Sequence, residues 1–149
     1  MDISEVTKEI RQLFFSWGLD LTSSSEEEGK GYVFCPVCID PYEHHIDILI
    51  ALEEDGTCRI DFSMGLIENE DPVYPLLNDF NIKVPLYKAM CYEGGLHIVS
   101  VFEDNDVENI VQRISNAMND IADEEYVYEP LKPILEYIAD EEEPNALEA

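Results

Sequence analysis

Residues 71–104 constrain the fold more than any other part of the chain, because they carry a helix signal and a hairpin signal in direct succession. The helix signal begins with Asp-Pro. Asp71 can accept hydrogen bonds from the free N–H groups of a first turn, and Pro72 suits the first helical position, where no N–H is needed. Apolar side chains then recur with helical spacing at Tyr74, Leu77 and Phe80. This pattern predicts a short helix over 72–80.

The hairpin signal follows at once. Pro85 ends the helical register, and apolar residues alternate over 86–92 and again over 96–102. Between the two runs stands Glu93-Gly94-Gly95, which supplies the residues with positive φ that a tight hairpin turn requires. We therefore expect two antiparallel strands to follow this helix.

The rest of the chain adds helices at either end and a run of strands between them. Apolar side chains at three- and four-residue steps predict helices over 2–17 and 107–121, the second capped by Asn105 or Asp106. Alternation predicts three strands, over 32–35, 44–52 and 58–64, the last two joined by an Asp-Gly turn. The polar, glycine-punctuated segment 22–31 is typical of a mobile surface loop.

The predicted order is helix, three-stranded meander, helix, two-stranded hairpin, helix. Strands joined by hairpins favour an α+β fold, with a mostly antiparallel sheet and its helices on one face. We expect a single domain over 1–125, followed by an acidic tail over 126–149. Within the tail, the spacing of apolar residues predicts a short helix over 130–139, and 140–149 is expected to be disordered or solvated.

Composition limits the partners. A hydrophobic share of 46% supports a packed core, but 34 acidic against 8 basic side chains give a net charge of −26. Such a field repels nucleic acid and anionic membranes and favours basic partners. The chain has no apolar run of the roughly 18 residues that a membrane-spanning helix needs and no signal peptide, and its four cysteines are expected to be reduced, which together predict a cytoplasmic protein.

Chemistry-bearing motifs are few. Cys35-Pro36-Val37-Cys38 followed by His44 has part of the spacing of a zinc site, and it also resembles a thiol-redox motif. The third interpretation is a strand end and a proline turn with structural cysteines. Cys58 and Cys91 lie among alternating apolar residues and are expected to be small buried hydrophobes. We find no catalytic motif, so we predict a non-enzymatic protein without a cofactor.

One family resemblance is carried by the helix PVYPLLNDFN, the strand YKAMCY, the GG turn and the strand LHIVSVF. With the preceding helix and strands, this order over roughly 1–122 resembles the type III secretion chaperone fold, and more closely the YbjN-like proteins. In that pattern the leucine-rich helix ends near an Asn, matched here by Asn81 or by Asn78. The resemblance implies a non-enzymatic domain that binds polypeptide segments, commonly as a homodimer with acidic surfaces.

The leading hypothesis is therefore a chaperone-like or adaptor domain that binds a protein or peptide of basic character, with a homodimer as one form. Its contacts are expected on the sheet face that no helix covers and on the 72–80 helix. The expected contact residues are Val33, Asp47, Leu49, Ala51, Asp61, Tyr74, Leu77, Val99 and Val101. The alternatives are a zinc or thiol-redox protein acting through Cys35 and Cys38 with His44, and an acidic nucleic-acid mimic.

Overall fold

The computed structural model describes residues 1–19 and 23–139. The helices of this part are α1 (Ile3–Ser16), α2 (Tyr74–Lys83), α3 (Val107–Ala122) and α4 (Glu129–Leu135), with a π-helical turn at Glu124–Tyr128. The strands are β1 (Ser23–Glu27), β2 (Lys30–Val37), β3 (Ile46–Glu53), β4 (Thr57–Leu66), β5 (Lys88–Tyr92) and β6 (Gly95–Glu103). None of the described helices is long and apolar enough to cross a lipid bilayer.

The described strands form one six-stranded sheet in the order β1-β2-β3-β4-β6-β5, with every neighbouring pair antiparallel. The predicted α+β class and antiparallel sheet are confirmed. Because side chains alternate between the two faces of a strand, each strand contributes one set to the helices and one set to the opposite surface. We call that opposite surface the open face.

The core lies between the sheet and the helices. Its centre is formed by the fully buried side chains of α1, α3 and the inward positions of the strands, including Ile10, Phe14, Ile48, Ile50, Phe62, Ile98 and Ile114. Val127, Leu131 and Ile134 belong to the same core. The packed domain therefore extends past 125, the position at which we expected it to end. The tail positions 140–149 lie outside the described residues.

Two local predictions are wrong. The segment expected to be a surface loop contains β1, which pairs with β2 from Glu27↔Lys30 onward. Its residues Ser-Ser-Ser-Glu-Glu show no apolar alternation, so the strand is stabilised by pairing and by α1. Ser4 Oγ donates to Glu26 Oε2 over 2.8 Å, and Arg11 donates to Ser24 Oγ. Helix α2 begins at Tyr74 with no side-chain cap, so Asp71 does not cap it.

The turns and the other caps follow the predictions. Glu93 and Gly94 both have positive φ, as a two-residue hairpin turn between β5 and β6 requires. Asp2 Oδ1 accepts from the Glu5 N–H at the start of α1, and Asp106 Oδ1 accepts from the Asn109 N–H at the start of α3. These contacts place the sheet and the two long helices as the amino-acid pattern indicates.

Candidate functional site: the open face and its glycine notch

The open face is built from alternate residues of neighbouring strands in register. Its central row runs from Phe34 on β2 to Leu49, Asp61 and Val99, and ends at Lys88 on β5. The rows on either side contain Tyr32, Ala51, Arg59 and Val101, and Pro36, Asp47, Ser63, His97 and Met90. No described helix covers these rows. Apolar side chains on β2 and β3 and on β6 lie on either side of a polar row on β4, which is formed by Arg59, Asp61 and Ser63.

Most of the residues predicted for this surface lie on it. Leu49 and Val101 are exposed, Ala51 and Asp47 are partly exposed, and Val99 is buried between its neighbours on the same face. Val33 does not belong to the open face. It pairs with Ile50 and is 1% exposed among the core side chains under the helices. The prediction for Val33 is wrong because a shift of one residue moves a strand residue to the other face.

Asp61 is the centre of a polar network on the open face. Only 6% of it is exposed, so the expectation of a partner contact through the Asp61 side chain is wrong. Its Oδ2 accepts from Arg59 Nη2 over 3.0 Å, and its Oδ1 lies 2.8 Å from His97 Nδ1. Leu49 and Val99 flank it in the row, which keeps water from the carboxylate. The network joins β4 to β6 at the middle of the surface.

The contacts of His97 favour its charged form. The hydrogen bond to Asp61 raises the pKa of His97 above its ordinary value, and the backbone of Tyr92 acts in the same direction, although partial burial opposes that rise. The Asp61 carboxylate therefore orients the imidazole and favours its protonation, while Ser63 faces it across the strands.

A pocket of about 550 Å³ lies at the end of the open face where β4, β5 and β6 meet. Gly95 forms its floor, because a Cβ on that residue would lie 3.3 Å from His97 Nε2 and 3.5 Å from the Gly65 carbonyl oxygen. Leu66 and Tyr92 both pair with Gly95 in register and form the walls. We call this pocket the glycine notch. Its remaining lining residues are His45, Asp47, Ser63, Gly65, Glu93, His97 and Ala139.

The two residues predicted for partner contact on α2 differ in exposure. Tyr74 is exposed, and its hydroxyl donates to Glu70 Oε2 over 3.0 Å. Leu77 is 7% exposed and belongs to the core. The expectation of a partner contact through Leu77 is therefore wrong, because the apolar side of this short helix packs against the domain itself.

The structure does not assemble the predicted metal site from Cys35, Cys38 and His44. Across residues 1–19 and 23–139, no three His, Cys, Asp or Glu side chains are grouped closely enough to hold a metal ion. Cys35 is buried in β2 and Cys38 is exposed beyond the strand end, and neither forms a disulfide. This placement agrees with the interpretation of a strand end with structural cysteines.

The cysteines should differ sharply in reactivity. Cys58 is fully buried, and burial raises the pKa of its thiol to about 11. In native protein near pH 8, iodoacetamide should modify Cys38 first and leave Cys58 unmodified until the chain unfolds. Mass mapping of labelled peptides over time measures both rates. Equal rates at the two positions would contradict the packing of Cys58.

Several residues of the site carry no signal in their own sequence neighbourhood. Arg59 and His97 acquire their role only when β4 pairs with β6. The notch is similar, because Leu66 and Tyr92 are distant in sequence and meet only across Gly95. A glycine inside a strand is a weak general sign of close backbone approach or an open space. Gly95, at the start of β6, is a glycine of this kind.

Comparison of the chain with protein-family models, with curated proteins and with solved structures finds no match. The resemblance to YbjN-like proteins and secretion chaperones therefore stays a prediction from the quoted residues.

Proposed function

We propose that this chain is a non-catalytic, polypeptide-binding domain that engages segments of basic character through the open face. The observation that carries the proposal is the one-sided packing of the sheet. The described helices pack on one face, and the other presents Phe34, Leu49 and Val101 among other apolar side chains. Exposed apolar side chains on an uncovered sheet face, here beside a polar row on β4, are typical of an interaction site.

The dimensions of the open face suit an extended segment. Six strands at the usual spacing give a surface about 24 Å wide, which an extended peptide of about seven residues would cross. The net charge of −26 raises the local concentration of basic segments and repels acidic ones. The proposal therefore combines apolar contact on the face with electrostatic attraction by the whole molecule.

The alternative of a nucleic-acid mimic receives less support. A mimic would present acids at regular spacing, whereas the open face carries Lys30, Arg59 and Lys88 on three of its strands. The zinc alternative lacks a ligand cluster in the described residues, and the thiol-redox alternative has one of its two cysteines, Cys35, buried in the core. The homodimer suggested by the family resemblance remains a competing occupant of the same face, and the experiment below separates it from a basic partner.

Val101→Glu tests the proposal because apolar contact and electrostatic attraction predict opposite effects of this variant on peptide affinity. Val101 is 61% exposed and lies opposite Arg59, so a glutamate there has a partner and the fold should tolerate it. The probe is a fluorescent peptide of about eight residues that alternates Val and Arg. Loss of apolar contact should weaken binding about tenfold, although the added negative charge alone would strengthen it. Fluorescence anisotropy gives both dissociation constants.

Phe15→Glu is the matched control. Phe15 is 77% exposed on α1, in the layer opposite the open face, and its substitution changes the net charge by the same amount. It should leave peptide affinity unchanged. Equal effects of the two variants, or no binding of the Val/Arg peptide to the native chain, would overturn the proposal. A dimer in native mass spectrometry that Val101→Glu converts to monomer, without peptide binding, would assign the face to self-association.

A further inference from the structure

The glycine notch has a shape that suits one side chain. Gly95 contributes no side chain to the lining, where His97 Nε2 and the Gly65 carbonyl oxygen approach its backbone, and the exposed side chains of Leu66 and Tyr92 lie on either side. Tyr92 is oriented by an edge contact with the His97 ring, whose centroid lies 5.9 Å from its own. The notch opens at the end of the open face, so a segment lying across that face would bring a side chain to its mouth.

The rim of the notch is acidic. Asp47 and Glu93 lie on its lining, and the Asp61 carboxylate is shared between Arg59 and His97, the second of which also lines the notch. His45 lies 3.5 Å from Asp47. The chain as a whole carries a net charge of −26. A basic side chain is the occupant that this charge distribution complements.

We propose that the notch receives an arginine side chain of the bound polypeptide, an inference that depends on the proposed function. The aliphatic part of an arginine would pack on Leu66, and its planar guanidinium would stack on the Tyr92 ring and donate to the Glu93 and Asp47 carboxylates. An apolar side chain would leave those carboxylates without a partner, and an acidic one would be repelled.

Nα-acetyl-L-arginine amide, added to the full ¹⁵N-labelled chain, tests the notch alone by NMR. The amide resonances of Leu66, Glu93 and Gly95 should shift and saturate. Nα-acetyl-citrulline amide has nearly the same shape without the charge and should produce no saturable shift. The double variant Asp47→Asn, Glu93→Gln should weaken arginine binding about fivefold or more. Glu9→Gln with Glu108→Gln removes the same charge from the helix layer and should change it by less than about twofold.

The Val/Arg peptide separates this inference from the proposed function. If the peptide binds, Val101→Glu weakens it and the Asp47, Glu93 double variant does not, the open face remains the binding site and the arginine notch is excluded. If the peptide does not bind the native chain, the proposed function fails and the notch has no partner to anchor. Arginine shifts scattered over the acidic surface without saturation would likewise overturn the notch.

Discussion

Replacing Asp61 with alanine should lower the free energy of unfolding by about 2–3 kcal/mol near pH 6. The variant removes a buried carboxylate and leaves His97 and Arg59 without their shared partner. We expect a loss near the lower end of that range, because Arg59 is partly exposed and water can solvate its guanidinium in the variant. Urea denaturation of the two proteins gives the difference. Circular dichroism of the folded variant confirms that both start from the same secondary structure.

The cost of Asp61→Ala should depend on pH. The pKa of His97 is raised in the folded protein, so the stability from its proton is fully present below its unfolded value near 6.5 and disappears as pH rises through the folded value. The destabilisation by Asp61→Ala should therefore be largest below pH 6.5 and shrink as the pH rises through the raised pKa of His97. Asp47→Ala is the control, since this half-exposed residue has His45, at 3.5 Å, as its ion-pair partner among the described residues, and its loss should cost less than about 0.5 kcal/mol. A pH-independent difference would contradict the His97 contact.

The contacts of Asp61 with Arg59 and His97 also change how a substitution of Asp61 should be interpreted. Charge reversal at Asp47, which is at the surface, should weaken the binding of a basic partner without unfolding the domain. At Asp61 a lysine would place a third cation beside Arg59 and His97, so reduced binding would reflect lost structure. Val101 is the better position for a binding variant because it is exposed and opposite Arg59.

The local pattern of apolar residues was sufficient to predict the helices and strands that bury periodic or alternate side chains. The strand near 44–52 and the strand near 58–64 lie where alternation placed them, and the turn after Tyr92 has the positive φ values that its residues predict. The pattern failed for β1, whose Ser and Glu residues give no apolar period, and for the face of Val33. Those two features depend on pairing between strands, which is set by neighbours distant in sequence.

The candidate site shows the same division. Leu49, Ala51 and Val101 were placed on the open face from alternation alone, because their strands have a clear buried side. The burial of Asp61 was not predictable in this way. It results from the row that puts Leu49 on one side and Val99 on the other, together with the reach of His97 from β6. Such a contact is determined by register between two strands, and neither strand alone specifies it.

Asn81 illustrates how a residue singled out by pattern acquires a physical role. It was noted as the Asn that follows the leucine-rich helix, and in the structure its side chain binds the edge strand β5. Asn81 Oδ1 accepts from the Ala89 N–H over 2.7 Å, and its Nδ2 donates to the Ala89 carbonyl over 3.1 Å. One amide thus occupies the outward backbone groups of Ala89, as the next strand of a sheet would. This edge is closed to a partner strand at that residue.

Asn81→Ala should lower the free energy of unfolding by about 1–2 kcal/mol, since both hydrogen bonds are lost while water reaches part of the edge. It should also expose the outer edge of β5 to pairing with other chains. Native mass spectrometry at rising protein concentration should then show dimers and larger species that the native chain lacks under the same conditions.

Asn78→Ala on the same helix is the matched control, because Asn78 is exposed one turn earlier and makes no side-chain hydrogen bond among the described residues. It should change neither stability nor oligomeric state. If Asn81→Ala lost stability without new association, the amide would act only as a local fastening between α2 and β5. If Asn81→Ala changed neither stability nor oligomeric state, the edge of β5 would need no protection. Strand addition at that edge would then become the stronger route for a polypeptide partner.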